Sequence, residues 1–217
     1  MKIDWLYFAP ALILLLPPLP LRGVVKSGRR PDYSVALGSM LAAWQNKADL
    51  LRAALGAYLL SHHAVLGESG TGNLNARGLM LISAVAGVGL LLQTVRLARG
   101  VQIIAPVFYL SGMMITVSDF ATGMFAVFAG WMFAIGSGKI GGQMPVTVLA
   151  MAGAGYLFQG PSLAPILNCL LAALPLAVAF MFRRPLLYVA KPAFTAEPVS
   201  PTRSESVPTS APPPPRS

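Results

Sequence analysis

One carboxylate lies alone in a long apolar stretch of this sequence. Asp119 is the only charged residue between Val101 and Gly138. A carboxylate at membrane depth usually faces a bundle interior or a water-filled cavity and marks a functional site. Aspartate is also common in turns, where its side chain accepts hydrogen bonds from backbone N–H groups that begin the next helix. The choice between these roles depends on where the helices end.

Two adjacent histidines are the second candidate for chemistry. Neighbouring residues on an α-helix point about 100° apart, so one helix cannot direct His62 and His63 at one ion. Ordinary polarity at a membrane interface explains them equally simply. The functional alternative is an outward-facing polar pocket, for which the sequence offers six residues: His62, His63, Glu68, Asp119, Gln159 and Asn168. With one cysteine, Cys169, and no Cys/His ligand spacing, we predict no metal site and no cofactor.

The composition is that of a polytopic membrane protein. Apolar residues make up 55% of the chain and charged residues 11%. The apolar residues fall into blocks of about 17 to 20, the length that a helix needs to cross a bilayer. A soluble helical domain would instead show polar faces at the helical period.

The blocks predict an all-α transmembrane helix bundle of about seven spans within a single domain, residues 1–191. The spans are expected at residues 5–21, 50–66, 79–95, 101–117, 121–138, 144–159 and 163–182. Short linkers make consecutive spans antiparallel neighbours. The first block ends in several prolines, so its end should be extended. A signal peptide is the alternative for this block. However, Lys2 is the only basic residue before the block, and no small-residue cleavage pattern follows it.

Residues 33–49 differ from the other blocks because they are amphipathic. Leu37, Leu41 and Trp44 recur at helical spacing, with Lys47 and Asp49 on the other side. Such a helix is suited to lie along the membrane interface. The following block, residues 50–66, begins with Arg52, which could reach back to the headgroups or pair with Asp49, three residues earlier.

The distribution of basic residues predicts the orientation. With the N-terminus outside and the C-terminus inside, every Lys and Arg except Lys2 and Arg77 falls on the cytoplasmic side, as membrane proteins prefer. A wholly interfacial helix at residues 33–66 would leave six spans and turn later basic loops outward. Topology and anionic lipid contacts on the cytoplasmic side account for the net charge of +9, so we predict no nucleic-acid binding.

This topology assigns Asp119 to a short outer turn. The apolar stretch around it is almost twice one span, so two helices must meet near its middle. Capping of the second helix by Ser118 or Asp119 is therefore favoured over a binding role for the carboxylate.

The fifth predicted span carries small residues at every fourth position. They are Thr122, Ala126, Gly130, Ala134 and Gly138. Such faces allow close packing of membrane helices. A small-residue zone in the next span, Leu149–Tyr156, predicts that these two spans pack together within one chain rather than forming a dimer interface.

The remaining features concern function. Residues 192–217 are rich in Pro, Ser and Thr and predict a disordered cytoplasmic tail. Hydrolase and metalloprotease motifs are absent from the sequence, which ranks an enzyme third. We expect a non-catalytic accessory subunit or assembly scaffold that binds other membrane subunits. The alternative is a small-solute transporter or ligand-binding protein that uses the polar pocket. Short loops and alanine-rich spans are typical of a bacterial cytoplasmic (inner) membrane protein.

Overall fold

The computed structural model of the chain describes residues 2–16, 41, 44–66, 76–96 and 102–186. Several of the predictions concern residues outside this set. They are most of the interfacial segment 33–49, Glu68 and the tail 192–217.

The described residues are mostly helical, as the all-α prediction requires. Their seven α-helices are α1 (Trp5–Leu15), α2 (Trp44–Leu59), α3 (Ala76–Thr94), α4 (Val107–Val117), α5 (Phe120–Ser137), α6 (Gln143–Gln159) and α7 (Leu163–Met181). A π-helical turn, Leu60–Ala64, continues α2, and a 3₁₀ turn, Ile140–Gly142, precedes α6. Four two-residue strands are also described: β1 (Lys2–Ile3), β2 (Val65–Leu66), β3 (Val95–Arg96) and β4 (Gln102–Ile103).

The short strands tie helix ends together in two antiparallel pairs. β1 pairs with β2, with Ile3 opposite Val65. The backbone N–H of Asp4 donates to the carbonyl of Ala64 over 2.9 Å. The start of α1 therefore lies beside the end of the α2 segment, and these helices are antiparallel. β3 pairs with β4 and joins the end of α3 to the approach to α4.

Three helices among the described residues are long and apolar enough to cross a bilayer: α3, α5 and α7. This indicates a membrane protein. α1 and α4 are apolar but have only 11 residues each. Within the predicted span 5–21, α1 ends at Leu15 and Leu16 is extended, and residues 17–21 lie outside the described residues. The predicted span 101–117 becomes helical only at Val107, because β4 and Pro106 occupy its first part.

One helix, α2, contains both the described end of the predicted interfacial segment and the start of the predicted span at residue 50. It runs unbroken from Trp44 to Leu59. Asn46 is buried, whereas Lys47 is exposed. The polar residues of this helix are thus divided between the protein interior and the surface.

α4 is the central helix of the bundle. All eight residues from Val107 to Met114 are buried. α2, α3, α5 and α7 all pack against it. A helix that is apolar on every side is expected to be buried on every side.

α2 approaches α4 closely at Gly112. A Cβ atom at this position would collide with the carbonyl oxygen of Leu50 and lie 3.2 Å from the backbone nitrogen of Ala54. Neither atom can move without shifting α2 itself. Gly112 therefore allows the two backbones to pack in direct contact, as small residues do between membrane helices.

We expect Gly112→Ala to lower the free energy of unfolding by about 1–3 kcal/mol, because the new methyl group forces α2 away from α4. Thermal unfolding of the detergent-solubilised protein measures this effect. The matched control is Gly153→Ala in α6, where no atom lies within 4 Å of the new Cβ. The control should be as stable as the wild type or more stable, since alanine favours helix. Equal stability of the two variants would contradict this packing.

Candidate functional site

The helix ends meet in two groups. At the Asp119 end of the bundle, α1, α5 and α7 begin, and α2, α4 and α6 end. Ser61, after α2, contacts the Thr116 carbonyl near the end of α4, with 3.4 Å between the oxygens. A Cβ on Gly155, near the end of α6, would lie 2.7 Å from Cβ of Pro165, near the start of α7. The opposite end is called the Arg52 end.

Asp119 caps α5, which confirms the capping role predicted for it. Its Oδ2 accepts from the backbone N–H of Thr122 over 3.3 Å, and the Thr122 hydroxyl lies 3.5 Å away. The Thr122 hydroxyl also accepts from Nε2 of Gln159 over 3.0 Å. Two of the predicted pocket residues, Asp119 and Gln159, are thus joined through Thr122, and this link connects the start of α5 to the end of α6.

The rings of both histidines contact the same tyrosine, Tyr58. The His62 ring stacks on Tyr58 with centroids 4.6 Å apart, and the His63 ring meets the same tyrosine at 5.4 Å. His63 also contacts Tyr7 of α1 at 5.0 Å. The cause is the π-helical turn, whose wider winding brings residues four and five positions after Tyr58 onto one side.

The Ser61 hydroxyl connects the His62 ring to the helix before it. The hydroxyl donates to the Ala57 carbonyl over 2.8 Å and lies 2.8 Å from Nδ1 of His62. This contact holds one side of the His62 ring, and the stacked Tyr58 ring holds its face.

The other predicted pocket residues are placed less completely. Asn168 is buried in α7, and Glu68 lies outside the described residues. Among the described residues, there is no group of three or more His, Cys, Asp or Glu side chains that could hold a metal ion. The structure therefore joins the predicted pocket residues as two pairs, Asp119 with Gln159 and His62 with His63.

Sequence reasoning missed a polar cluster at the Arg52 end. Nη1 of Arg52 donates to the Leu16 carbonyl over 2.7 Å, and Nη2 lies 3.4 Å from Oδ1 of Asp49, which confirms the predicted pair. The Tyr109 hydroxyl donates to the Leu15 carbonyl over 2.8 Å. Arg52 also lies over the Tyr109 ring, 5.7 Å from its centroid. Two side chains from α2 and α4 thus cap the end of α1.

The sequence explains why α1 needs this cap. Carbonyls in the last turn of a helix have no partner within the helix. Pro17, Pro18 and Pro20 follow directly and have no N–H group to offer. Gly89 of α3 leaves the necessary space, since its Cβ would lie 2.7 Å from the Tyr109 hydroxyl. The proline run was therefore the signal that could have predicted side-chain donors here.

The predicted small-residue face of α5 is mostly buried. Thr122, Ala126, Gly130 and Ala134 are buried, and a Cβ on Gly130 would collide with the Thr147 hydroxyl of α6. Gly138 departs from the prediction, because it is exposed and ends α5 with a φ of 65°. Gly155, from the predicted partner zone in α6, faces Pro165 of α7 instead of α5.

Comparison with known proteins adds no relative from which a function could be inferred. No protein-family model, curated protein or solved structure matches this chain. The basis for a functional proposal is thus the set of polar contacts described above. Most of them cap a helix or join two helices.

Replacing Tyr109 with phenylalanine tests the cap at the Arg52 end. This change keeps the ring but leaves the Leu15 carbonyl without its donor, which should cost about 1–3 kcal/mol in a buried setting. The measurement is the midpoint of thermal unfolding in detergent. Tyr156→Phe is the matched control, since that side chain is 66% exposed and should tolerate the loss of its hydroxyl. A Tyr109→Phe protein as stable as the control would show that the cap contributes nothing.

Proposed function

We propose that this chain is an integral membrane protein of seven spans that acts as a non-catalytic subunit or assembly scaffold in a bacterial cytoplasmic membrane. The N-terminus lies outside and the C-terminus inside. The alternating directions of α1 to α7 support this count. The short α4 is compatible with it, because a helix covered by other helices need not match the thickness of the lipid.

The observation that carries the proposal is that interior polar side chains form hydrogen bonds between helices. Four hydrogen bonds each join two different helices: Arg52–Leu16, Tyr109–Leu15, Trp131–Ser111 and Gln159–Thr122. Together they connect α1, α2, α4, α5 and α6. A catalytic site would need a nucleophile, a base and a group that orients them around one cavity. Here the polar groups stabilise a framework, which is what a scaffold requires.

Exposed apolar side chains on the surface are available for contacts with other subunits. α5 exposes Phe125, Phe128 and Met132, and α6 exposes Leu149 and Leu157. In a membrane these side chains contact either lipid or neighbouring helices, and shape rather than apolarity decides between the two. We assign part of this surface to partner subunits.

Cysteine labelling tests the orientation. In a Cys169→Ala background, Arg77→Cys should react with a membrane-impermeant maleimide on intact cells, whereas Lys139→Cys should react only after permeabilisation. The reason is that α3, α4 and α5, an odd number of spans, separate the two positions. The reverse pattern would overturn the N-out orientation. Labelling of both positions on intact cells would overturn the span count.

The scaffold role predicts a stable partner. We expect the tagged protein, extracted gently from its native membrane, to elute from size exclusion with a stoichiometric subunit identified by mass spectrometry. Asp119→Asn should keep this partner, because asparagine caps helices as well as aspartate does. His62→Ala should keep it too. A lone monodisperse wild-type protein would contradict the scaffold role.

One observation favours the second candidate, a small-solute transporter or ligand-binding protein. His62 is exposed and lies in a ring cluster with Tyr58 and His63 at the Asp119 end, where its imidazole nitrogens can hydrogen-bond a ligand. In that case, His62→Ala or Asp119→Asn would abolish uptake or ligand binding while the protein still inserts and stays folded. Full activity in both variants would exclude this pocket.

A further inference from the structure

Three basic side chains that form no ion pair with any described residue lie at the Arg52 end of α5, α6 and α7. Lys139 follows α5, and Arg183 and Arg184 follow α7. All three are exposed, and the ion pair described at this end, Arg52–Asp49, does not include them. α6 and α7 are packed antiparallel, so the start of α6 beside Lys139 lies at the same end as Arg183.

Strongly exposed apolar side chains come directly before the two arginines. Phe180 is 86% exposed and Met181 is 76% exposed. The sequence thus passes from apolar surface to guanidinium groups within one helical turn. A membrane offers the matching pair of environments, acyl chains next to phosphate groups.

The backbone at Arg183 gives a second and independent observation. The N–H of Arg184 donates to the Ala179 carbonyl over 3.1 Å, and that of Arg183 to the Phe180 carbonyl over 3.0 Å. These bonds form a Schellman motif, whose left-handed residue is usually glycine. Here it is Arg183, with a φ of 50°. The chain therefore keeps a charged side chain at a position where glycine fits the backbone better.

We propose that Arg183 and Arg184 bind the phosphate of an anionic phospholipid, while Phe180 and Met181 contact its acyl chains and Lys139, at the same end of the bundle, adds positive charge to this surface. Arginine suits this role because its planar donors match phosphate oxygens two at a time, and lysine adds a point charge. The αL backbone at Arg183 turns the chain at the helix end and keeps the two arginines together. The inference goes beyond the subunit role, since a protein without partners would carry the same surface.

The test uses the full-length protein purified in neutral detergent. Native mass spectrometry compares the binding of phosphatidylglycerol and phosphatidylcholine with identical acyl chains. We expect phosphatidylglycerol to bind more tightly, by about fivefold for each basic side chain in contact. Equal binding of the two lipids would overturn the proposal. So would displacement of bound phosphatidylglycerol by inorganic phosphate at equal concentration, which would identify a site for free anions.

Substitutions at Arg183 separate lipid binding from folding. Arg183→Gly should weaken phosphatidylglycerol binding about fivefold, while the melting temperature stays the same or rises, because glycine adopts this backbone readily. Arg183→Lys should keep most of the binding. Arg77→Ala, at the opposite end, is the matched control and should change nothing. Unchanged binding in Arg183→Gly, or lost binding together with a lower melting temperature, would contradict the assigned role. Lys139→Ala, on a different segment, should weaken binding similarly, and full binding there would exclude Lys139.

Discussion

The carbonyl groups at the end of α1 have no hydrogen-bond donor within their own helix, and this determines which helices pack around them. The last carbonyls of a helix have no partner within the helix, so other parts of the protein must supply donors. The prolines after α1 cannot do so. Arg52 from α2 and Tyr109 from α4 supply them instead, and Gly89 of α3 leaves room for the tyrosine hydroxyl. The need of these carbonyls for donors therefore brings α2, α3 and α4 together at the end of α1.

Close packing around α4 makes this arrangement possible. Gly112 lets the backbone of α2 touch that of α4, which sets Arg52 beside Tyr109. On the other side, Trp131 of α5 donates to Ser111 of α4 and joins the second half of the bundle to the first. Because α4 is covered by its neighbours, most of its side chains contact other parts of the protein.

Those features that depend on length or local chemistry could be predicted from the sequence. The turn at Asp119 follows from an apolar stretch too long for one helix, and its capping role follows from the aspartate side chain. The start of α4 at Val107 could not be predicted, because Pro106 and a strand pair override the apolar composition. The contact of both His62 and His63 with Tyr58 required a π-helical turn, which has no clear sequence signal. The pairing of distant residues, such as Arg52 with the end of α1, depends on packing order, which one sequence does not contain.

The position of the Arg52 contact also bears on the order in which these contacts can form. Synthesis proceeds from the N-terminus, so α1 is made before α2 and long before α4. The Leu16 carbonyl is therefore present as soon as Arg52 has been made, whereas the Tyr109 hydroxyl that donates to the Leu15 carbonyl is added much later. The Arg52 contact can thus hold α1 and α2 together as a pair before α4 packs against them.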